Sequence, residues 1–176
     1  VSVLVFLFLL LISRDRIAAA AAALIWAVHP VHSEAIAYIA GRADPLYALF
    51  MMLSLIFFVR FTRSVAGQKP GMSFYALSIV FFVLSILSKE IIISMPLLIF
   101  LLAFYFVRAT DKSAYYARLK WSWVPYGVIA VIYGALRATV LSFADIAPPS
   151  VFGKIPLVLR LLTFFRTVLA YIRLMV

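Results

Sequence analysis

HPVHSEAIAYIAGRADP, residues 29–45, is the stretch on which the reading of this chain turns. It holds both histidines, His29 and His32, two of the six carboxylates, Glu34 and Asp44, and Arg42. The sequence on either side is apolar. Ile17–Val28 contains six consecutive alanines, Ala18–Ala23, and Leu46–Val59 carries no charge. Ionisable groups in such company are expensive in lipid and face a cavity or a partner. Within the stretch, Pro30 disturbs the preceding helix and Ser33 can cap a short one after it. Gly41 then stops that helix, Asp44 caps the next, and Pro45 takes its first position.

Composition decides the class around this stretch. The chain has 176 residues, 67% of them hydrophobic and 12% charged, with a mean hydropathy of +1.16. Soluble chains average roughly 45–50% apolar and about 25% charged residues, so an integral membrane protein is expected. There is no cysteine, which excludes thiol chemistry, and the net charge is +10. In a membrane protein that balance concerns loop topology and anionic headgroups. No basic patch interleaved with aromatics and no nucleic-acid motif occurs, so nucleic acid is not an expected partner.

Outward from residues 29–45, apolar runs alternate with basic connections. Val1–Ile12 supplies about 18 Å of helix, short of the ~30 Å hydrocarbon core, and reads as the downstream part of a first membrane helix. A signal peptide fits poorly, because no basic region precedes the run and no cleavage site follows. Arg14 and Arg16 sit in a short turn. Residues 60–72 and 108–120 read as basic loops, and 142–156 as a loop with Asp145 and Pro148-Pro149. Ser73–Leu87, Ile91–Val107 (Pro96 as a kink) and Val124–Leu141 read as further helices. Trp121 and Trp123 suit an interface. The turn at 13–16 and the loops 60–72 and 108–120 hold nine of the sixteen basic residues. Placed in the cytoplasm by the positive-inside rule, they put 29–45, 88–90 and 142–156 outside. His29, His32, Glu34, Arg42, Asp44, Lys89, Glu90, Arg137 and Asp145 then share one face. Residues 157–176 carry Arg160, Arg166 and Arg173. They can span only by lining a cavity, and the cost of arginine in lipid favours an amphipathic helix lying in the interface.

Each polar group admits more than one reading. His29-x-x-His32 with Glu34 fits a metal site, hydrogen bonding at a helix end, or a polar or phosphate site, and Pro30 breaks the regular helix a metal pair would use. Arg42 is either a snorkelling cation beside the Asp44 cap or a bidentate anion clamp at a helix N-terminus. Ser88-Lys89-Glu90 is either a tight hairpin with a mutually neutralising Lys89–Glu90 pair or a pair that positions a phosphate or a base. Ser54, Ser78, Ser85 and Ser94 read as packing hydroxyls. No G-x-S-x-G, Walker A, G-x-G-x-x-G, H-E-x-x-H or C-x-x-C pattern occurs, which argues against ATP hydrolysis, dinucleotide chemistry and zincin proteolysis.

"WAVHPVHSEAIAYIAGRADPLYALF" (26–50) followed by "LSILSKEIIISMPLLIFL" (84–101) resembles the membrane region of the transmembrane-and-TPR O-mannosyltransferases and their bacterial relatives. These are similar in turn to the GT-C glycosyltransferases. "YGALRATVL" (133–141), with Arg137, is a weaker match. The resemblance covers most of residues 17–141. It implies an all-α, polytopic, GT-C-like membrane helical bundle, truncated at both ends. Residues 1–176 are then a partial transmembrane domain of six to seven helices, without the family's first helix, first external loop and TPR array. It further implies a metal-independent, inverting enzyme in the bacterial inner membrane or endoplasmic reticulum, with its site facing periplasm or lumen. A sugar, mannose-like, passes from a polyprenyl-phosphate donor to a protein or glycan acceptor. That donor is a substrate, and no cofactor is implied. The catalytic acid is expected in the upstream external loop, so no catalytic residue is assigned and this segment alone is expected to be inactive. Arg42 is the first candidate for the donor phosphate. His29, His32, Glu34, Asp44, Lys89, Glu90 and Arg137 are candidates for the outer cavity. A transporter or flippase for an anionic lipid or solute is the competing class, its charges lining a pathway.

Overall fold

The structure is a computed structural model that describes residues 1–30, 32, 43–66, 71–108, 119, 121–139, 159, 162–164, 166, 167 and 173. The described residues are helical, with no strand among them. The helices are α1 (Ser2–Ser13), α2 (Arg16–Val28), α3 (Ala43–Ala66), α4 (Met72–Ser88), a 3-10 helix (Glu90–Ser94), α5 (Met95–Arg108) and α6 (Val124–Thr139). The chain divides into two compact units, Val1–Ala135 and Leu136–Val176.

In the first unit α1 and α2 form a hairpin whose turn is built by three residues. Arg14 adopts the left-handed conformation (φ 59°) and its N–H closes α1 on the Leu10 carbonyl at 3.1 Å. The left-handed cap satisfies a carbonyl that otherwise has no intrahelical partner. Asp15 then caps α2, its carboxylate accepting from the N–H of Ile17 at 2.8 Å and of Ala18 at 3.2 Å. At the far end of α2, His29 is extended (φ −65°, ψ 127°), as the residue before a proline must be.

Three boundaries differ from those the sequence suggests. α3 continues through Arg60 and Arg63 to Ala66, where a loop was expected from residue 60. Arginine is a good helix former, cations are favoured near a helix C-terminus, and no breaker occurs before Gly67. α3 also begins at Ala43, so Asp44 lies in its first turn and Pro45 third in the helix. A proline is tolerated there because the first four N–H groups have no intrahelical partner. Pro96 is second in α5 and does not kink it. The break is made earlier, by the extended Lys89 (φ −157°) and the 3-10 helix.

α3 and α4 carry the core. Leu55, Phe58, Phe61, Phe82, Ile86 and Ile99 are buried in it. Tyr126 of α6, also fully buried, packs edge-on to Phe58 (centroids 6.0 Å, 89°) and against Phe82 at 5.3 Å. A polar seam crosses this core. The Ser54 hydroxyl donates to the Ser78 carbonyl and the Ser78 hydroxyl to the Ser54 carbonyl, both at 2.7 Å. The Tyr126 hydroxyl donates to Ser78 Oγ, also at 2.7 Å. Ser85 is a packing hydroxyl too, donating to the Tyr47 carbonyl at 2.9 Å. Ser94 is not: it is exposed and bonds back to Ile91 within the 3-10 helix.

Large apolar side chains also face outward, including Ile17 (83% exposed), Val28 (79%) and Val131 (72%). Soluble surfaces rarely gather such residues into wide patches. Residues Ala43–Arg63 of α3 form the one stretch among the described residues both long and apolar enough to cross a membrane. The other helices are apolar and shorter.

The first unit has two chemically different ends. At one, Arg63 Nη2 donates to the Leu11 carbonyl, joining the C-terminal ends of α3 and α1. Tyr75, near the start of α4, donates to the Ser122 carbonyl at 2.7 Å, so the turn at Trp121–Trp123 is there too. Helix direction carries Asp44, Lys89 and the end of α2 to the opposite end.

In the second unit, Thr163 and Thr167 each donate one helical turn back, to the carbonyls of Leu159 and Thr163, at 2.8 Å. Arg166 and Arg173 are exposed. Arg160 and the expected loop 142–156 lie outside the described residues, as do most of 108–120.

Candidate functional site

The site grows from Asp44 and Lys89. Asp44 stands in the first turn of α3, where the helix dipole stabilises a carboxylate. Lys89 is the residue at which α4 ends: its N–H closes the helix on the Ser85 carbonyl at 3.1 Å. Its backbone is extended there (φ −157°, ψ 131°). The Lys89 ammonium then hydrogen-bonds Asp44 in an ion pair between residues 45 apart in sequence. It also lies 5.5 Å from the centre of the Tyr47 ring, within cation–π range. Tyr47 follows Asp44 by three residues and so shares its helix face. The Ser85 hydroxyl, on the Tyr47 carbonyl, ties the same turn of α3 to α4.

The hydrogen bond to Asp44 holds the Lys89 pKa above the ordinary lysine value, with partial burial acting the other way. The ammonium therefore stays charged. The two side chains are 40% and 33% exposed, so the pair is reachable. An ammonium has three donors; with Asp44 engaging it, donor capacity remains for an incoming anion. The Asp44 carboxylate can in turn accept from a hydroxyl. Chemically the pair can donate to an anion and accept from a hydroxyl.

Lys89 pairs with Asp44, not with Glu90 as one sequence reading had it. Glu90 opens the 3-10 helix and is exposed. Adjacent residues at a helix break point apart, whereas α3 and α4 lie side by side and bring Asp44 into reach.

At the end of α2 a turn around Pro30 sets the histidines. The His29 N–H donates to the Trp26 carbonyl at 3.3 Å, and the His32 N–H to the His29 carbonyl at 3.2 Å. The His32 ring packs on Trp26 (centroids 3.6 Å, 57°) and lies 6.2 Å from the His29 ring. His32 Nε2 is buried and has no hydrogen-bond partner, a costly condition for an imidazole. No group of three or more metal-ligating side chains occurs among the described residues. Glu34 and Arg42 lie outside the described residues. Arg137 is half-buried in the last turn of α6 and belongs to the second unit. The structure thus joins Asp44 to Lys89 and His29 to His32. It adds Tyr47 and Ser85, which the sequence reading did not select; their signal was the three- and four-residue spacing from Asp44 and Lys89.

By class, the chain is similar over part of its length to protein O-mannosyl-transferases. The particular relatives are Protein O-mannosyl-transferase TMTC4 of Homo sapiens and Protein O-mannosyl-transferase TMTC1 of Mus musculus. The first is 41% identical over 71 residues, covering 39% of this chain and 10% of that protein. The second is 41% identical over 71 residues, covering 40% and 7%. TMTC1 of Homo sapiens gives 41% over 71 residues, 40% of this chain and 8% of that protein. The matched stretch thus spans a tenth or less of the curated relatives. No family model matches the chain, and no solved structure matches it. The likeness is consistent with a glycosyltransferase-like function.

Proposed function

We propose that this chain is part of the membrane domain of a glycosyltransferase that moves a mannose-like sugar from a polyprenyl-phosphate donor to a protein or glycan acceptor. The observation that carries the reading is the 41% identity over 71 residues to Protein O-mannosyl-transferase TMTC4. The Asp44–Lys89 end is its substrate end. Lys89 and Arg42 contact the donor phosphate, Asp44 orients Lys89, and His29, His32 and Glu34 line the same cavity. Nineteen residues of helix separate Asp44 from Arg63, about 28 Å, close to the ~30 Å hydrocarbon thickness. That spacing supports an Asp44–Lys89 pair near one face of the bilayer, where a lipid-borne phosphate lies. The proposed face is lumenal or periplasmic, opposite the basic connections.

The test uses the full-length protein. Its membranes are supplied with mannosyl polyprenyl phosphate or with a nucleotide-linked mannose. Transfer from the lipid donor is expected, with Arg42→Ala and Lys89→Met each raising the donor concentration needed on the order of tenfold, the size of one charge-assisted hydrogen bond. Direct use of the nucleotide sugar, or wild-type donor affinity in both variants, sinks the assignment.

A further inference from the structure

The end of the first unit away from Asp44 and Lys89 is strongly basic. Arg14 and Arg16 flank Asp15 in the α1–α2 connection, and Arg60 and Arg63 lie one turn apart near the end of α3. The fold gathers them. Arg63 is anchored on the Leu11 carbonyl, three residues before Arg14 on the same chain turn. Arg14, Arg16 and Arg60 are exposed. Asp15, the carboxylate set among them, is engaged by the N–H groups of Ile17 and Ala18. Trp121, 63% exposed, stands at the same level. Away from this level the outward side chains of α1 and α2 are apolar, among them Leu7, Leu24 and Ile25.

Guanidiniums bind phosphate oxygens bidentately, exposed tryptophan favours the headgroup region, and the apolar helices below match acyl chains. An acidic soluble partner satisfies the charges but not the apolar belt beneath them. We infer that Arg14, Arg16, Arg60 and Arg63 form a docking surface for the anionic headgroups of phospholipids at one membrane interface. The inference rests on the membrane placement proposed above and not on glycosyl transfer. It makes the bundle polar in its lipid preference, with an anion-seeking end opposite the substrate end.

The full-length protein is reconstituted in phosphatidylcholine vesicles with or without phosphatidylglycerol, and its thermal midpoint is measured. Phosphatidylglycerol is expected to raise the midpoint by several degrees. The rise falls by half or more in the Arg14→Gln/Arg60→Gln variant, persists in Arg14→Lys/Arg60→Lys, and disappears at ~1 M salt, where the screening length is about 3 Å. No rise with phosphatidylglycerol, or an undiminished rise in the glutamine variant, overturns the inference. Should the glutamine variant not fold, a wild-type rise that survives ~1 M salt overturns it equally. An equal rise from inorganic phosphate at matched ionic strength overturns the lipid as its source. Resistance of the phosphatidylcholine-reconstituted protein to alkaline extraction reads the membrane placement separately: extraction sinks both readings, while resistance without a phosphatidylglycerol effect sinks this one alone.

Discussion

Lys89 shows how a single side chain is placed by two unrelated decisions of the backbone. Its own extended conformation ends α4, and the start of α3 supplies Asp44. Because hydrogen bonding to Asp44 raises the folded-state pKa of Lys89, the sign of its linkage is fixed. Its contribution to stability is fully present below the unfolded lysine value of about 10.4 and is lost as pH rises through the higher folded value. The difference in thermal midpoint between wild type and Lys89→Met should therefore be constant from about pH 7 to about pH 9 and shrink above about pH 10.4. A difference that already vanishes by about pH 9 means the ammonium is not held by Asp44. Coupling gives a second check. In a double-mutant cycle, Asp44→Asn and Lys89→Met together should cost less than the sum of the single changes, because no charge is left without its partner. Additive losses contradict the pairing.

At the scale of the element, the α3–α4 crossing depends on how closely two serines let the backbones approach. Ser78→Leu forces a large side chain into that crossing and should cost about 1–3 kcal/mol or more by overpacking. Tyr126→Phe removes one hydrogen bond and keeps the ring among Phe58, Phe82 and Tyr75. Its cost should be near 0.6 kcal/mol, the average for an interhelical hydrogen bond in a membrane bundle. Denaturation in mild detergent measures both, and the reverse order excludes close serine packing as the organising contact. The apolar runs made these helices legible in the sequence, and His29-Pro30 marked the end of α2. Arg60 and Arg63, read with Lys69, the glycines and the proline as one loop, belong to α3, because arginine sustains a helix until the glycine that follows. Ser78 reads as a packing hydroxyl and is one, but its bond to Tyr126 was not legible. A serine and a tyrosine in apolar runs carry no mark of meeting 48 residues apart. The partner of Lys89 was not legible either, since Glu90 is its neighbour only along the chain and Asp44 lies 45 residues away.

For the whole molecule the sequence carries an alternation of basic and non-basic connections, and in the first unit the described helix ends that flank the basic ones lie together. The Leu11–Arg63 contact and the Tyr75–Ser122 contact gather the first connection, the end of α3, the start of α4 and the Trp121 turn at one end. The Asp44–Lys89 pair closes the other. Between them runs about 28 Å of α3. An amphipathic bundle lying on a bilayer exposes both ends to the same solution, whereas a spanning one exposes them to opposite solutions. These 176 residues contain no cysteine, so single cysteines placed in them report without background from this segment. Ser13→Cys and Ser73→Cys mark the basic end and Glu90→Cys the other, all at exposed positions. With a membrane-impermeant maleimide on sealed vesicles, Ser13→Cys and Ser73→Cys are expected to label from one side and Glu90→Cys only from the opposite side. By the positive-inside rule the first two are expected to label from the cytoplasmic side. Labelling of all three from one side rules out a spanning α3–α4 hairpin, and with it a substrate end separated by the bilayer from the basic end.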